Sequence, residues 1–95
     1  MIPAVTATVA PWTGVQFQGN LAANQTLCWF TFNWPAHWHV IWTVVPTTPR
    51  PGAPQIRWNV RVERATDGFV TYWICITNLI NVPVAVEARY AVLGW

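Results

Sequence analysis

The chain has 95 residues, of which 54% are hydrophobic and only 8% charged; five Arg against two Glu and one Asp give a formal net charge of +2. That length supports a single domain over residues 1–95, and the composition is the reverse of a disordered chain, which is rich in charge and poor in apolar residues. Thr, Asn, Gln, Pro or Arg break the apolar runs every few residues, which excludes a spanning helix of about 20 apolar residues.

Period-two alternation is strong and helical periodicity weak, most clearly in the second half, so the elements are strands. Ala4–Val9 and Gly14–Gln18 are candidate edge strands. Thr26–Phe32 and Trp38–Val45 are rich in β-branched and aromatic residues and apolar on both faces. They read as central strands or as strands covered by a partner. The link Asn33-Trp34-Pro35-Ala36-His37 is short enough for a hairpin-type connection. Pro46–Pro54, with four prolines and a glycine, is a stiff segment expected to cross between sheets. Gln55–Arg64 alternates Ile56, Trp58, Val60 and Val62 inward against Arg57, Asn59, Arg61 and Glu63 outward.

Asp67-Gly68 then signals a turn. Phe69–Asn78 follows, with Val70, Tyr72, Ile74 and Ile76 inward and Thr71, Trp73, Cys75 and Thr77 outward. After a turn over Asn78–Pro83, Val84–Leu93 points Val84, Val86, Ala88, Tyr90 and Val92 inward and Glu87 and Arg89 outward. These last three strands are expected to form an antiparallel meander. Six to eight short strands without significant helix predict an all-β, antiparallel two-sheet sandwich, immunoglobulin-like or jelly-roll-like.

Cys28, Trp42 and Cys75 stand in an order similar to the Cys…Trp…Cys of immunoglobulin domains. Trp73 occupies the place where that pattern has a tyrosine, and Cys75 alternates onto an outer face, so the order supports an architecture and no family. The two cysteines either pair or stay unpaired as small apolar residues, with the unpaired reading favoured. Met1 to Ala10 has neither a basic start nor a long apolar core, so nothing there argues for an oxidising compartment.

Catalytic constellations are absent. No serine exists for a serine triad, Glu63 and Glu87 are the only glutamates, and no glycine-rich phosphate loop occurs. Each cysteine lies within an apolar strand, which disfavours a reactive thiolate. His37-Trp38-His39 can place two imidazoles on one strand face, but no further ligand has diagnostic spacing, so no metal or other cofactor is expected. Arg57, Arg61 and Arg89, offset by Glu63 and Glu87 on what reads as one outer face, make too weak a basic stripe for nucleic acid.

Eight Trp in so short a chain are the main functional signal. Trp42, Trp58 and Trp38 follow the inward alternation and are assigned to the core. Trp34 in its turn, Trp73 on its outer face, and Trp12 and Trp95 near the ends are candidates for exposure, with Trp29 undecided. Flat rings beside polar groups suit a sugar, with its apolar C–H face and hydroxyl rim. The candidate ligand residues are Trp34, His37, His39, Asn59, Trp73, Glu87 and Arg89.

The expected protein is a non-catalytic, lectin-like module that binds a glycan. It is also a homo-oligomer, because a surface so poor in charge favours association. An extracellular or cell-surface setting fits that ligand. Asn24-Gln25-Thr26 matches the glycosylation pattern. The alternative is a structural self-assembling subunit of a shell, fibre or appendage, whose Trp surfaces are subunit interfaces. A membrane-active β protein is a weaker alternative, since no basic patch or amphipathic helix accompanies the Trp.

Overall fold

The computed structural model describes residues 12–93. Six antiparallel strands form two three-stranded sheets packed face to face, with no helix among the described residues. The strands are β1 (Thr13–Leu21), β2 (Thr26–Pro35), β3 (Val40–Pro46), β4 (Ile56–Glu63), β5 (Phe69–Asn78) and β6 (Val84–Val92). One sheet, sheet A, has the order β1-β6-β3; the other, sheet B, has the order β2-β5-β4. The expected all-β sandwich is therefore present. The stretch Ala4–Val9 lies outside the described residues, as does Trp95.

The alternation of inward residues is as the sequence predicts in β5 and β6; in β4, Ile56, Trp58 and Val60 are partly buried, but Val62, expected inward, is 63% exposed. Leu21, Trp42, Val44, Val84, Val86 and Ala88 of sheet A meet Val70, Tyr72, Ile74 and Ile76 of sheet B in one core. Trp29, Trp58 and Tyr90 pack partly buried against it. Phe17 stacks on Trp29 with ring centroids 4.8 Å apart, so β1 lies over β2. Gly19 makes this fit possible: a Cβ there would stand 2.6 Å from the Trp29 ring. The backbone N–H of Val40 donates to the Tyr72 hydroxyl across the two layers (3.2 Å). Trp42 is buried, and its indole N–H has no acceptor among the described residues.

The way the strands are joined differs from the expectation in three places. The last three strands are not a meander: β4 and β5 form a hairpin, but β6 lies in the opposite sheet, paired with β1 and β3. Alternation says which residues of β5 and β6 face the core; two strands facing the core from opposite layers show the same pattern as two strands side by side. The link after Asn33 is not a hairpin either, because β2 continues to Pro35 and the chain crosses to β3 in sheet A. Thr26–Phe32 and Trp38–Val45 belong to edge strands, not central ones. Gly14–Gln18 lies, as expected, in an edge strand, β1, which runs from Thr13 to Leu21. Pro46–Pro54 does cross between sheets. Four of the five connections cross, and only β4–β5 stays within its sheet, which is a jelly-roll-like winding.

Asn78 fastens these crossings. It is 1% exposed at the end of β5. Its side-chain amide donates to the carbonyls of Ala22 (3.0 Å) and Val82 (2.8 Å), and its side-chain oxygen accepts the N–H of Ile80 (2.9 Å). One side chain thus joins the β1–β2 and β5–β6 connections and satisfies backbone groups that burial would otherwise leave costly. Asn24 supplies the positive φ (58°) that turns β1 into β2, and its N–H donates to the Ile80 carbonyl (3.0 Å). Asn tolerates this left-handed region better than most residues.

Of the two alternatives the sequence leaves for Cys28 and Cys75, the structure has the disulfide and not the favoured unpaired thiols. They lie directly opposite one another in the β2–β5 register, within one sheet and on its outer face. That register was invisible while β2 and β5, 47 residues apart at the cysteines, had no known neighbours. The bond also departs from the immunoglobulin pattern, in which the disulfide joins the two sheets.

Candidate functional site

The predicted site residues fall into four separate places. Trp34 packs, partly buried, against the core. Simple alternation would send it outward with Cys28, Phe30 and Phe32. A bulge between Thr31 and Trp34, with Asn33 at φ 63°, shifts the phase of β2 and turns Trp34 inward. There its indole N–H donates to the buried Thr31 hydroxyl (2.8 Å), and its ring meets Trp42 at 5.7 Å and Tyr90 at 5.2 Å in edge-on geometry. Trp34 is therefore part of the packing and not an exposed ring in a turn.

His37 and His39 are exposed on the link from β2 to β3 and do not flank an open Trp34. The ring of Trp38 between them packs edge-on against Trp12 (4.6 Å). Among the described residues, no three His, Cys, Asp or Glu side chains cluster as metal ligands would. Glu87 and Arg89 lie on the outer face of sheet A, as a consequence of the crossing to β6. Arg89 Nε donates to Glu87 Oε1 at 2.7 Å, and Gln18 Nε2 to Glu87 Oε2 at 2.9 Å. The hydrogen bond from Gln18, then that from Arg89, holds the Glu87 carboxyl below its ordinary pKa of 4.5. Arg89 is therefore remote from Arg57 and Arg61, and the three do not share one face.

Asn59 and Trp73 remain, on the outer face of sheet B. The register builds this face in rows across β2, β5 and β4: Thr26, Thr77 and Arg57; Cys28, Cys75 and Asn59; Phe30, Trp73 and Arg61; then Thr71 with Glu63. Phe30 stacks on Trp73, with centroids 5.1 Å apart and planes at 27°. Phe32 continues the row at 5.8 Å from Phe30. The Trp73 indole N–H donates to Glu63 Oε1 (3.0 Å), which fixes the ring's orientation. Phe30 is 54%, Phe32 62% and Trp73 40% exposed.

Below the rings, Cys28, Arg61, Trp73 and Cys75 line an open concavity of ≈ 430 Å³. Its floor is the disulfide, and Arg61 Nη2 reaches to 3.7 Å from Cys75 Sγ. This volume falls within the range of small-ligand sites, about 300–1,000 Å³. The arrangement offers a fixed aromatic ring, a guanidinium and an amide side by side, and it includes no paired acid and base or nucleophile–base pair. Phe30, Phe32, Arg61 and Glu63 were not among the predicted site residues. The signal for the phenylalanines was the unbroken even-numbered phase of Cys28, Phe30 and Phe32, which meets Trp73 only when β2 is known to lie beside β5.

No protein-family model matches this chain, and neither characterised protein sequences nor solved structures give a significant match.

Proposed function

We propose that this protein is a non-catalytic binding module that takes a carbohydrate on the outer face of sheet B, between Trp73 and Arg61, and that self-associates. The observation that carries this reading is Trp73: an exposed ring, locked by Glu63 and Phe30, at the rim of a concavity lined by Arg61. A ring already held in place loses little further freedom when a ligand arrives. Its apolar surface suits the C–H face of a sugar, while Arg61 and Asn59 serve the hydroxyl rim. The disulfide on the same face fits an extracellular or cell-surface setting, where such bonds persist.

A glycan array and tryptophan fluorescence with soluble oligosaccharides test this. Trp73→Ala should abolish binding while costing about 1 kcal/mol or less of stability, since the ring is exposed. A blank array, or undiminished binding by Trp73→Ala, overturns it.

A second reading, self-assembly as a structural subunit, is favoured by β3. This edge strand carries no charge and exposes Ile41 and Val45. The edge strand β4, by contrast, is guarded by Arg57, Arg61 and Glu63. An uncharged apolar edge is a template for pairing with another strand. Light scattering should find a fixed oligomer that Ile41→Lys dissociates; a monomer at micromolar concentration rules this reading out.

A further inference from the structure

We infer that the Cys28–Cys75 disulfide is a thiol-exchange site, attacked by a small thiol at Cys28 with Cys75 as the leaving group. The inference is independent of what else binds this face. It rests on the asymmetry of the two sulfurs. Cys28 sits exposed on the edge strand β2, whereas Cys75 is 7% exposed on the central strand β5. The bond runs across the strands, and an incoming sulfur must approach its target in line with the bond that breaks. For Cys28 that line comes from the edge of sheet B beyond β2, where no strand lies among the described residues. For Cys75 it comes from the side of β4, where Asn59 is the register neighbour.

The second element is the charge. The Arg61 guanidinium, 3.7 Å from Cys75 Sγ, is placed to receive a negative sulfur. A neighbouring cation stabilises a thiolate, and a better-stabilised thiolate leaves faster. The third is space, since the concavity of ≈ 430 Å³ reaches both sulfurs from solvent. A disulfide buried in the core would have none of these.

The exchange balances as follows. A thiolate, RS⁻, forms a bond to Cys28 Sγ; the Sγ–Sγ bond breaks, and its electron pair leaves on Cys75 as a thiolate beside Arg61. A second thiolate attacks the R sulfur on Cys28, forming RSSR and releasing the Cys28 thiolate. The two protein thiolates take up the two protons that the reagent thiols gave up. Two RSH are oxidised and one protein disulfide is reduced. β2 and β5 are paired on both sides of the cysteines, from Thr26 with Thr77 to Pro35 with Phe69.

The test uses the oxidised protein in millimolar glutathione without denaturant, quenched with N-ethylmaleimide and mapped by peptide mass. Glutathione on Cys28 with maleimide on Cys75 is the expected pattern. Glutathione mainly on Cys75, an even split, or no reaction without denaturant overturns the proposal. The rate should fall about tenfold in Arg61→Gln, recover in Arg61→Lys and stay unchanged in Arg57→Gln. An Arg61→Gln rate equal to wild type also overturns it; should that variant fail to fold, the wild-type peptide map decides alone.

Discussion

The two outer faces of the sandwich are built on the same alternation but are finished differently. On sheet A the central strand presents Ala85, Glu87, Arg89 and Ala91, and the neighbouring strands present single apolar residues such as Val15, Ile41 and Val45. Gln18, Glu87 and Arg89 are linked there through the Glu87 carboxylate, and the face stays low and wet. On sheet B the central strand presents Thr71, Trp73 and Cys75, and its neighbours close over it with a disulfide, a stacked phenylalanine and an arginine. Thr71 and Cys75 are consequently buried on a face that points away from the core. A sheet face becomes a structured surface when its cross-strand pairs are large and bonded to each other. Only sheet B meets that condition, which is why the candidate site belongs there and the charged pair of sheet A does not.

Substitutions can break or sharpen this contrast. The largest effect is expected at Trp34, which the phase of β2 assigns to the sheet B face and the Asn33 bulge assigns to the core. Trp34→Ala should cost about 3–4 kcal/mol, as removal of a large core ring does. A cost below about 1 kcal/mol in urea unfolding would return Trp34 to the outer face. Next, replacing both Cys28 and Cys75 by Ser should remove about 2–4 kcal/mol, because the bond closes a long loop in the unfolded chain. The same pair of changes should loosen the Trp73 ring, read as a shift in its fluorescence, while the far-ultraviolet spectrum of the sheets persists.

The smallest effect is expected on sheet A. Glu87→Gln should leave the unfolding midpoint at neutral pH nearly unchanged. The folded-state pKa of Glu87 lies below its unfolded value. Its contribution is therefore fully present above the ordinary value of 4.5 and fades as pH falls through the lowered folded pKa. A side-chain carboxyl titration by NMR with a midpoint at or above 4.5 would contradict the bonding seen with Gln18 and Arg89.

Alternation made the inward residues of β5 and β6 legible, and those of β4 as far as Val60, along with the proline-rich crossing and the outward position of Trp73. These depend on side-chain period alone, which a strand carries in its own sequence. Pairing is not local information. Nothing in β6 says that its neighbours are β1 and β3, so Glu87 and Arg89 were grouped with Trp73 although two sheet layers separate them. The Trp34 misplacement has a different cause. Asn33-Trp34-Pro35 reads as a turn, but the left-handed Asn33 only shifts the phase of β2, which runs on to Pro35 and turns Trp34 inward. Asn78 escaped notice because a single amide at a strand end has no pattern; its role exists only where two distant connections meet.

The winding has a kinetic consequence. Of the four strand pairings, only β4 with β5 joins neighbours in sequence; β2 with β5, β3 with β6 and β1 with β6 all close long stretches of chain. Loop closure must precede the reward of such pairings, so folding is expected on the slow side for its size, in milliseconds to seconds, with the β4–β5 hairpin as the one element able to form by itself. During synthesis β1, β2 and β3 emerge first, and the partner strand of each is made only later. Apolar, charge-free edges such as β3 therefore stand open while the chain is growing, and this interval is when the protein is most exposed to pairing with another copy of itself.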